Sequence, residues 1–187
     1  MRTKPTERTT LEYALLGLIR EVPRTGYELR KIFVETAMAG YSGSPGAIYP
    51  ALRRLEAGGL IAGIARPGGP GRPGREFRLT PAGEAVLQAW LARPVTRDDV
   101  ALRLDALMLR FAFLGFADSP DRTLEFLESM EAELEAFHSE LEDQLEAIRS
   151  APLHARLALE AGISSIADRL RWTRNVRARL TPPGEER

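Results

Sequence analysis

Ser44-Pro45-Gly46-Ala47-Ile48-Tyr49-Pro50-Ala51-Leu52-Arg53-Arg54-Leu55-Glu56-Ala57-Gly58-Gly59-Leu60-Ile61 is the stretch on which the reading of the fold turns. Ser44 followed by Pro45 marks a helix start: the serine oxygen can accept an orphan amide, and proline is tolerated at the first helical position. Ile48, Ala51, Leu52 and Leu55 then share one face. Tyr49 and Arg53 share another, with Arg54 and Ser44 less squarely on it. In such a helix Pro50 lies beyond the first turn, where it deletes a backbone hydrogen bond and predicts a kink. Gly58-Gly59 ends the helix. Leu60 to Arg66 reads as a strand. Pro67 to Gly74, with four glycines, three prolines and Arg72, reads as an irregular tip. Arg75 to Leu79 alternates in the manner of a second strand. A helix can enter the major groove of DNA, and a ribbon carrying Arg66, Arg72, Arg75 and Arg78 can lie along the backbone beside it.

The 187-residue chain is long enough for one large or two small domains and can bury a core without staples. With 44% hydrophobic and 28% charged residues it belongs to the globular class. It contains no cysteine, which excludes disulfides and thiolate metal sites. Met1 to Thr10 is polar and has no signal-like apolar run. No stretch approaches the roughly 18 apolar residues of a membrane span, so the expected location is cytoplasmic, with no membrane partner. The formal net charge of zero conceals an asymmetry. Residues 1–80 hold 13 Lys+Arg against 7 Asp+Glu, a difference of +6; residues 81–187 hold 13 against 19, a difference of −6. Only the first half is suited to a polyanion.

Upstream of the opening stretch, Thr10 is a candidate cap for a helix from Leu11 to Arg20, with Leu11, Leu15, Leu18 and Ile19 on one face. Val22 to Gly26 reads as a turn. A second helix from Tyr27 to Met38 turns Leu29, Ile32 and Phe33 inward and Arg30 and Lys31 outward. Downstream, Thr80-Pro81 opens a helix that Arg93-Pro94 ends, which sets the expected domain boundary: 1–93 and 94–187. Leu102 to Phe116 is apolar nearly all round, as a buried helix would be. From Leu124 to Ile148, leucines, methionine and phenylalanine recur at threes and fours, the spacing of a coiled-coil seam. A last helix runs from Leu153 to Leu180. The fold class is therefore mainly α with a small β-wing: an N-terminal winged helix-turn-helix followed by a C-terminal helical dimerisation domain.

The resemblance goes further than pattern. Gly26-Tyr27-Glu28-Leu29, Ile48 to Glu56 with Gly59-Leu60-Ile61, Arg75 to Gly83, and Trp90-Leu91 resemble the PadR family of transcriptional regulators. Leu11 to Ile19 is similar to that family's first helix. The likeness covers about residues 9–93, and the Ile-Tyr-Pro-Ala-Leu run is its most specific part. The resemblance also accounts for Pro50, which the family keeps inside its recognition helix. Beyond residue 93 the likeness is one of pattern only, to the longer subfamily's helical dimerisation region. What it implies is a homodimeric repressor, less often an activator, binding a pseudo-palindromic operator and released by a phenolic or other apolar effector. The chain departs from the family at the wing, where the tip is long and Gly/Pro-rich and Phe77 replaces the common tyrosine.

The DNA-contact set expected on this basis is Tyr27, Ser44, Tyr49, Arg53, Arg54, Arg66, Arg72 and Arg75, and the partner is double-stranded DNA. The expected dimerisation set is Leu127, Met130, Leu134, Phe137, Leu141, Leu145, Ile166 and Leu170. Trp90, Phe111 and Trp172 are candidates to line an effector pocket, although an ordinary core looks the same. His138 and His154 have no ligand partner at metal spacing, the glutamates from Glu131 to Glu146 read as a solvated helix face, and the tip lacks a phosphate-loop ending. No metal, cofactor or enzymatic activity is expected. The competing reading is a helical dimer that binds a protein or sequesters a ligand without touching DNA. Pairing of Arg53, Arg72 and Arg75 with glutamates would favour that reading; their convergence on one face would favour DNA.

Overall fold

The computed structural model describes residues 8–41, 45–65, 75–115 and 120–181. The chain divides into two compact units, Met1–Leu91 and Ala92–Arg187. The first contains α1 (Thr10–Glu21), β1 (Arg24–Thr25), α2 (Gly26–Glu35), 3-10 turns at Ala37–Tyr41 and Pro45–Ala47, α3 (Ile48–Ala57), β2 (Ile61–Ala65), β3 (Arg75–Leu79) and α4 (Pro81–Leu91).

Helix α1 is the spine of this unit. Leu11, Ala14, Leu15, Leu16, Leu18 and Ile19 are all buried, and α3, α4 and β3 pack against it. Its cap is Thr9 rather than Thr10. The Thr9 hydroxyl accepts from the Glu12 amide at 3.2 Å, and Glu12 Oε2 accepts from the Thr9 amide at 3.1 Å. The same reciprocal arrangement, between Thr25 and Glu28, opens α2. That helix stops at Glu35 instead of Met38, where the chain tightens into the first 3-10 turn. Arg24–Thr25, expected to be turn only, forms a third strand: Arg24 pairs with Phe77 and Thr25 with Glu76, in the order β1-β3-β2. Both pairings are antiparallel, with Ile61 opposite Leu79 and Ala65 opposite Arg75.

The start of α3 differs from the sequence expectation. The α-helix begins at Ile48 with Ala47 as its cap, which makes no side-chain cap bond. Ser44, expected as the cap, lies outside the described residues. The later start removes the difficulty over Pro50, which is now the third helical residue. Its missing amide is one of the donors that a helix's first turn leaves without an internal partner. At the other end the Leu60 amide donates to the Leu55 carbonyl and the Gly59 amide to the Glu56 carbonyl, both at 2.9 Å. Gly59, at φ 68°, supplies the left-handed residue that this Schellman ending requires. Thr80 locks the far side: its hydroxyl donates to the Gly59 carbonyl at 2.7 Å and accepts from the Gly83 amide at 3.0 Å.

The second unit is helical: α5 (Arg97–Leu102), α6 (Leu104–Leu114), α7 (Pro120–Ala147) and α8 (Leu153–Leu180). The expected single helix from Leu102 to Phe116 is broken at Arg103, whose backbone sits at φ −130°, ψ 35°. Arg103 pairs back to Asp98 and Asp99, and Leu102 is left 79% exposed. Phe116 lies outside the described residues. Helices α7 and α8 form an antiparallel hairpin, joined by ion pairs from Arg174 to Glu131 and Glu135 and from Arg177 to Glu128 and Glu131. At 28 residues each, these helices run about 42 Å. Among the described residues, no helix is long and apolar enough to cross a membrane.

Candidate nucleic-acid interface

Four apolar side chains, Ile48, Ala51, Leu52 and Leu55, pin α3 to the core of the first unit. Helical geometry then turns Tyr49 and Arg53 outward. Tyr49 is 44% exposed and Tyr27, at the start of α2, is 66% exposed. A Cβ added to Gly26 would lie 2.9 Å from Tyr49 Cε1 and 3.6 Å from Leu52 Cδ1. The Tyr49 ring therefore covers Gly26 closely, and Tyr27 is the next residue along. Tyr49 of α3 thus packs over the first residue of α2, immediately before Tyr27 in the chain. Arg53, one turn beyond Tyr49, is exposed and has no hydrogen-bond or ion-pair partner among the described residues.

The neighbouring arginines are placed differently. Arg54 Nε donates to Glu12 Oε1 at 2.8 Å, and that carboxylate is buried while its other oxygen holds the α1 cap. Arg54 therefore ties α3 to α1. Arg75 faces Glu56 with two nitrogens, at 2.8 and 2.5 Å, and Glu56 Oε1 also accepts from the Gly63 amide at 3.1 Å. Arg78 lies 3.5 Å from Glu76 on its own strand. Of the expected contact set, Tyr27, Tyr49 and Arg53 are each exposed and without a hydrogen-bond or ion-pair partner among the described residues, while Arg54 and Arg75 are held by glutamates. Arg66 and Arg72, with the rest of the tip, lie outside the described residues, as does Ser44. The packing role of Gly26 and the pairing roles of Glu12 and Glu56 are not legible in the sequence. The Glu12–Arg54 and Glu56–Arg75 pairs span 42 and 19 residues, separations that no local periodicity signals.

The expected effector residues fall in both units. Trp90 belongs to the first, where its ring is buried and stacks on Tyr13 with centroids 4.5 Å apart. In the second, Phe111 meets Trp172 edge-on at 5.3 Å and Phe126 at 6.3 Å. The Arg110 guanidinium lies over Phe126 and donates to the Arg93 carbonyl. Burial pushes Arg110 down to about 10; Asp99 opposes that shift and Arg93 adds to it. Of the expected dimerisation set, Leu127, Met130, Leu134 and Ile166 are buried within the chain, whereas Phe137, Leu141, Leu145 and Leu170 are half-buried. Toward the hairpin turn, Leu153 and Leu157 are 60% and 48% exposed. No group of three or more metal-ligating side chains occurs among the described residues.

Three helices, a three-stranded sheet with a basic hairpin and a closing helix define a winged helix-turn-helix unit. The model of the transcriptional regulator PadR-like family matches residues 15–89. A PadR family transcriptional regulator from Eggerthella lenta is 36% identical over 43% of this chain and 68% of that one, with a TM-score of 0.37. The chain belongs to the PadR-like family. It is 32% identical over 83 residues to the negative transcriptional regulator PadR of Bacillus subtilis, which covers 44% of this chain and 46% of that protein. Structures of that regulator with operator DNA and with p-coumaric acid are 23% and 22% identical to this chain, with TM-scores of 0.42 and 0.41. They cover 91% and 95% of this chain and 99% and 98% of the regulator. Transcriptional regulator Rv3488 of Mycobacterium tuberculosis is 49% identical over 53 residues, 28% of this chain and 49% of that protein. The matched stretches thus span about half the length of these two curated relatives.

Proposed function

We propose that this chain is a repressor that binds double-stranded DNA as a homodimer, at a pseudo-palindromic operator, and is released by a small phenolic or other apolar effector. The observation that carries the reading is the outer face of α3. Tyr49 and Arg53 stand exposed one helical turn apart and without partners among the described residues; Arg75, paired with Glu56, does not add to this face and taken alone counts toward the competing helical-dimer reading. A hydroxyl and a guanidinium one helical turn apart suit a phosphate and a guanine edge. Arg66 and Arg72 add charge along the backbone.

Dimerisation draws on the half of the α7–α8 hairpin near its turn, where Phe137, Leu141, Leu145, Leu153 and Leu157 are only partly covered by their own chain. Two-fold symmetry would set two half-sites about 34 Å apart. For the effector, Phe111 and Trp172 supply aromatic surface near the buried Arg110 cation. The p-coumaric acid complex of Bacillus subtilis PadR supports a phenolic carboxylate as the first ligand to try.

The test is fluorescence anisotropy on a duplex selected by the unaltered protein from a random-sequence pool. Two Arg53–phosphate contacts, one per protomer, by themselves predict a loss of about tenfold between ~50 and ~200 mM salt. Affinity that does not change over that range would contradict the reading. Sedimentation showing only monomer at micromolar concentration would remove the dimer.

A further inference from the structure

The position of Arg75 departs from the role that the charged ribbon suggested. It opens β3, opposite Ala65 of β2, yet its side chain runs back across the strand toward α3. A Cβ at Gly63 would fall on the Arg75 Nε, so only glycine leaves room for the guanidinium there. The same guanidinium lies 5.8 Å from the Phe77 ring centroid and meets both oxygens of Glu56. Glu56 also takes the Gly63 amide at 3.1 Å. Four residues from α3, β2 and β3 thus converge on one fork-shaped contact of the kind that fixes geometry as well as charge.

We infer that Arg75 and Glu56 form a strut that sets the pitch of the β2–β3 hairpin against α3, and that Arg75 is a positioning residue rather than a phosphate contact. The inference rests on the DNA-binding reading above and deepens it. Glu56 sits in the last turn of α3, so it can hold the hairpin directly against the helix that carries Tyr49 and Arg53. A guanidinium with both forks on a carboxylate brings no net charge to DNA. Its contribution to binding is to present the rest of the hairpin at a fixed angle.

The two roles predict opposite effects at Glu56. As a strut, Glu56→Gln and Arg75→Gln each weaken binding to the selected duplex by roughly two- to fivefold, the size an exposed ion pair allows. The double variant is no worse than either single, because both substitutions remove one interaction. The slope of log affinity against log salt stays at the unaltered value. As a phosphate contact, Arg75→Gln weakens binding and flattens that slope by about 0.9 per protomer, while Glu56→Gln frees the guanidinium and tightens binding. Anisotropy titrations of the full-length chain and the three variants at several salt concentrations decide between them, with thermal melts to show that each variant folds. Tighter binding by Glu56→Gln, a flattened slope for Arg75→Gln, or affinities unchanged throughout would each overturn the strut. Failure of the unaltered protein to select any duplex would instead remove the DNA-binding reading itself.

Discussion

Replacing Gly26 with alanine would disturb the interface while sparing the fold. The new methyl would lie 2.9 Å from Tyr49 Cε1, so the ring must move outward by about half an ångström to reach ordinary contact. Tyr49 is 44% exposed and free to move that way. The backbone imposes no penalty, since Gly59 is the sole glycine at positive φ among the described residues. Alanine even gains helix propensity over glycine, by at most about 1 kcal/mol. The stability of Gly26→Ala should therefore stay within about 1 kcal/mol of the unaltered chain. Operator affinity should fall. If the Tyr49 hydroxyl donates to a phosphate, displacing it costs about 1.5 kcal/mol, or roughly tenfold, per protomer. Tyr49→Phe removes the same hydroxyl without moving the ring. Anisotropy of the two single variants and the double variant, with melting curves alongside, reads both quantities. The double variant should bind no more weakly than Tyr49→Phe. The reasoning is refuted if Gly26→Ala binds normally, or if it weakens binding by the same factor on the Tyr49→Phe background.

The remaining predictions concern the supports of the interface and the second unit. Arg54→Ala leaves the buried Glu12 carboxylate with only its cap bond, and should lower stability by about 1 kcal/mol without altering the salt slope of binding, as melts and titrations would show. Leu145→Glu and Leu153→Glu, at partly covered positions near the turn of the hairpin, should shift sedimentation toward monomer and leave the helical circular dichroism unchanged. Arg110, pushed down to about 10 in the fold by burial, binds its proton less tightly there than in the unfolded chain. Between about pH 9 and about pH 11 the unaltered chain should therefore gain stability relative to Arg110→Met, read as a change in the gap between their urea midpoints.

Much of the first unit is legible from local chemistry. The apolar faces of α1 and α3, the Gly58-Gly59 stop and the strand at Arg75–Leu79 each follow from spacing and backbone preference within a few residues. What escaped was either too short or too distant. A two-residue strand such as Arg24–Thr25 has no period to detect. The onset of α3 at Ile48 depends on a 3-10 turn that Pro45 allows but does not announce. The division of arginines into free and paired depends on Glu12 and Glu56, brought up by tertiary packing. In the second unit, the apolar density from Leu102 to Leu114 concealed the break at Arg103, because Leu102 faces outward despite its chemistry. Along α7 apolar residues recur at threes and fours, but periodicity alone does not distinguish the partner helix within the chain from one in a second copy. Leu127, Met130 and Leu134 are consumed by the chain's own packing.

The central claim is that α3 presents Arg53, and not Arg54, to DNA, although the two are adjacent and chemically identical. The most direct measurement is the salt dependence of duplex binding for Arg53→Ala and Arg54→Ala side by side. The account predicts that Arg53→Ala weakens binding and flattens the log–log slope by about 0.9 for each protomer engaged. Arg54→Ala should keep the slope and lose stability instead. Equal slopes for Arg53→Ala and the unaltered protein, or a flattened slope for Arg54→Ala alone, would contradict it.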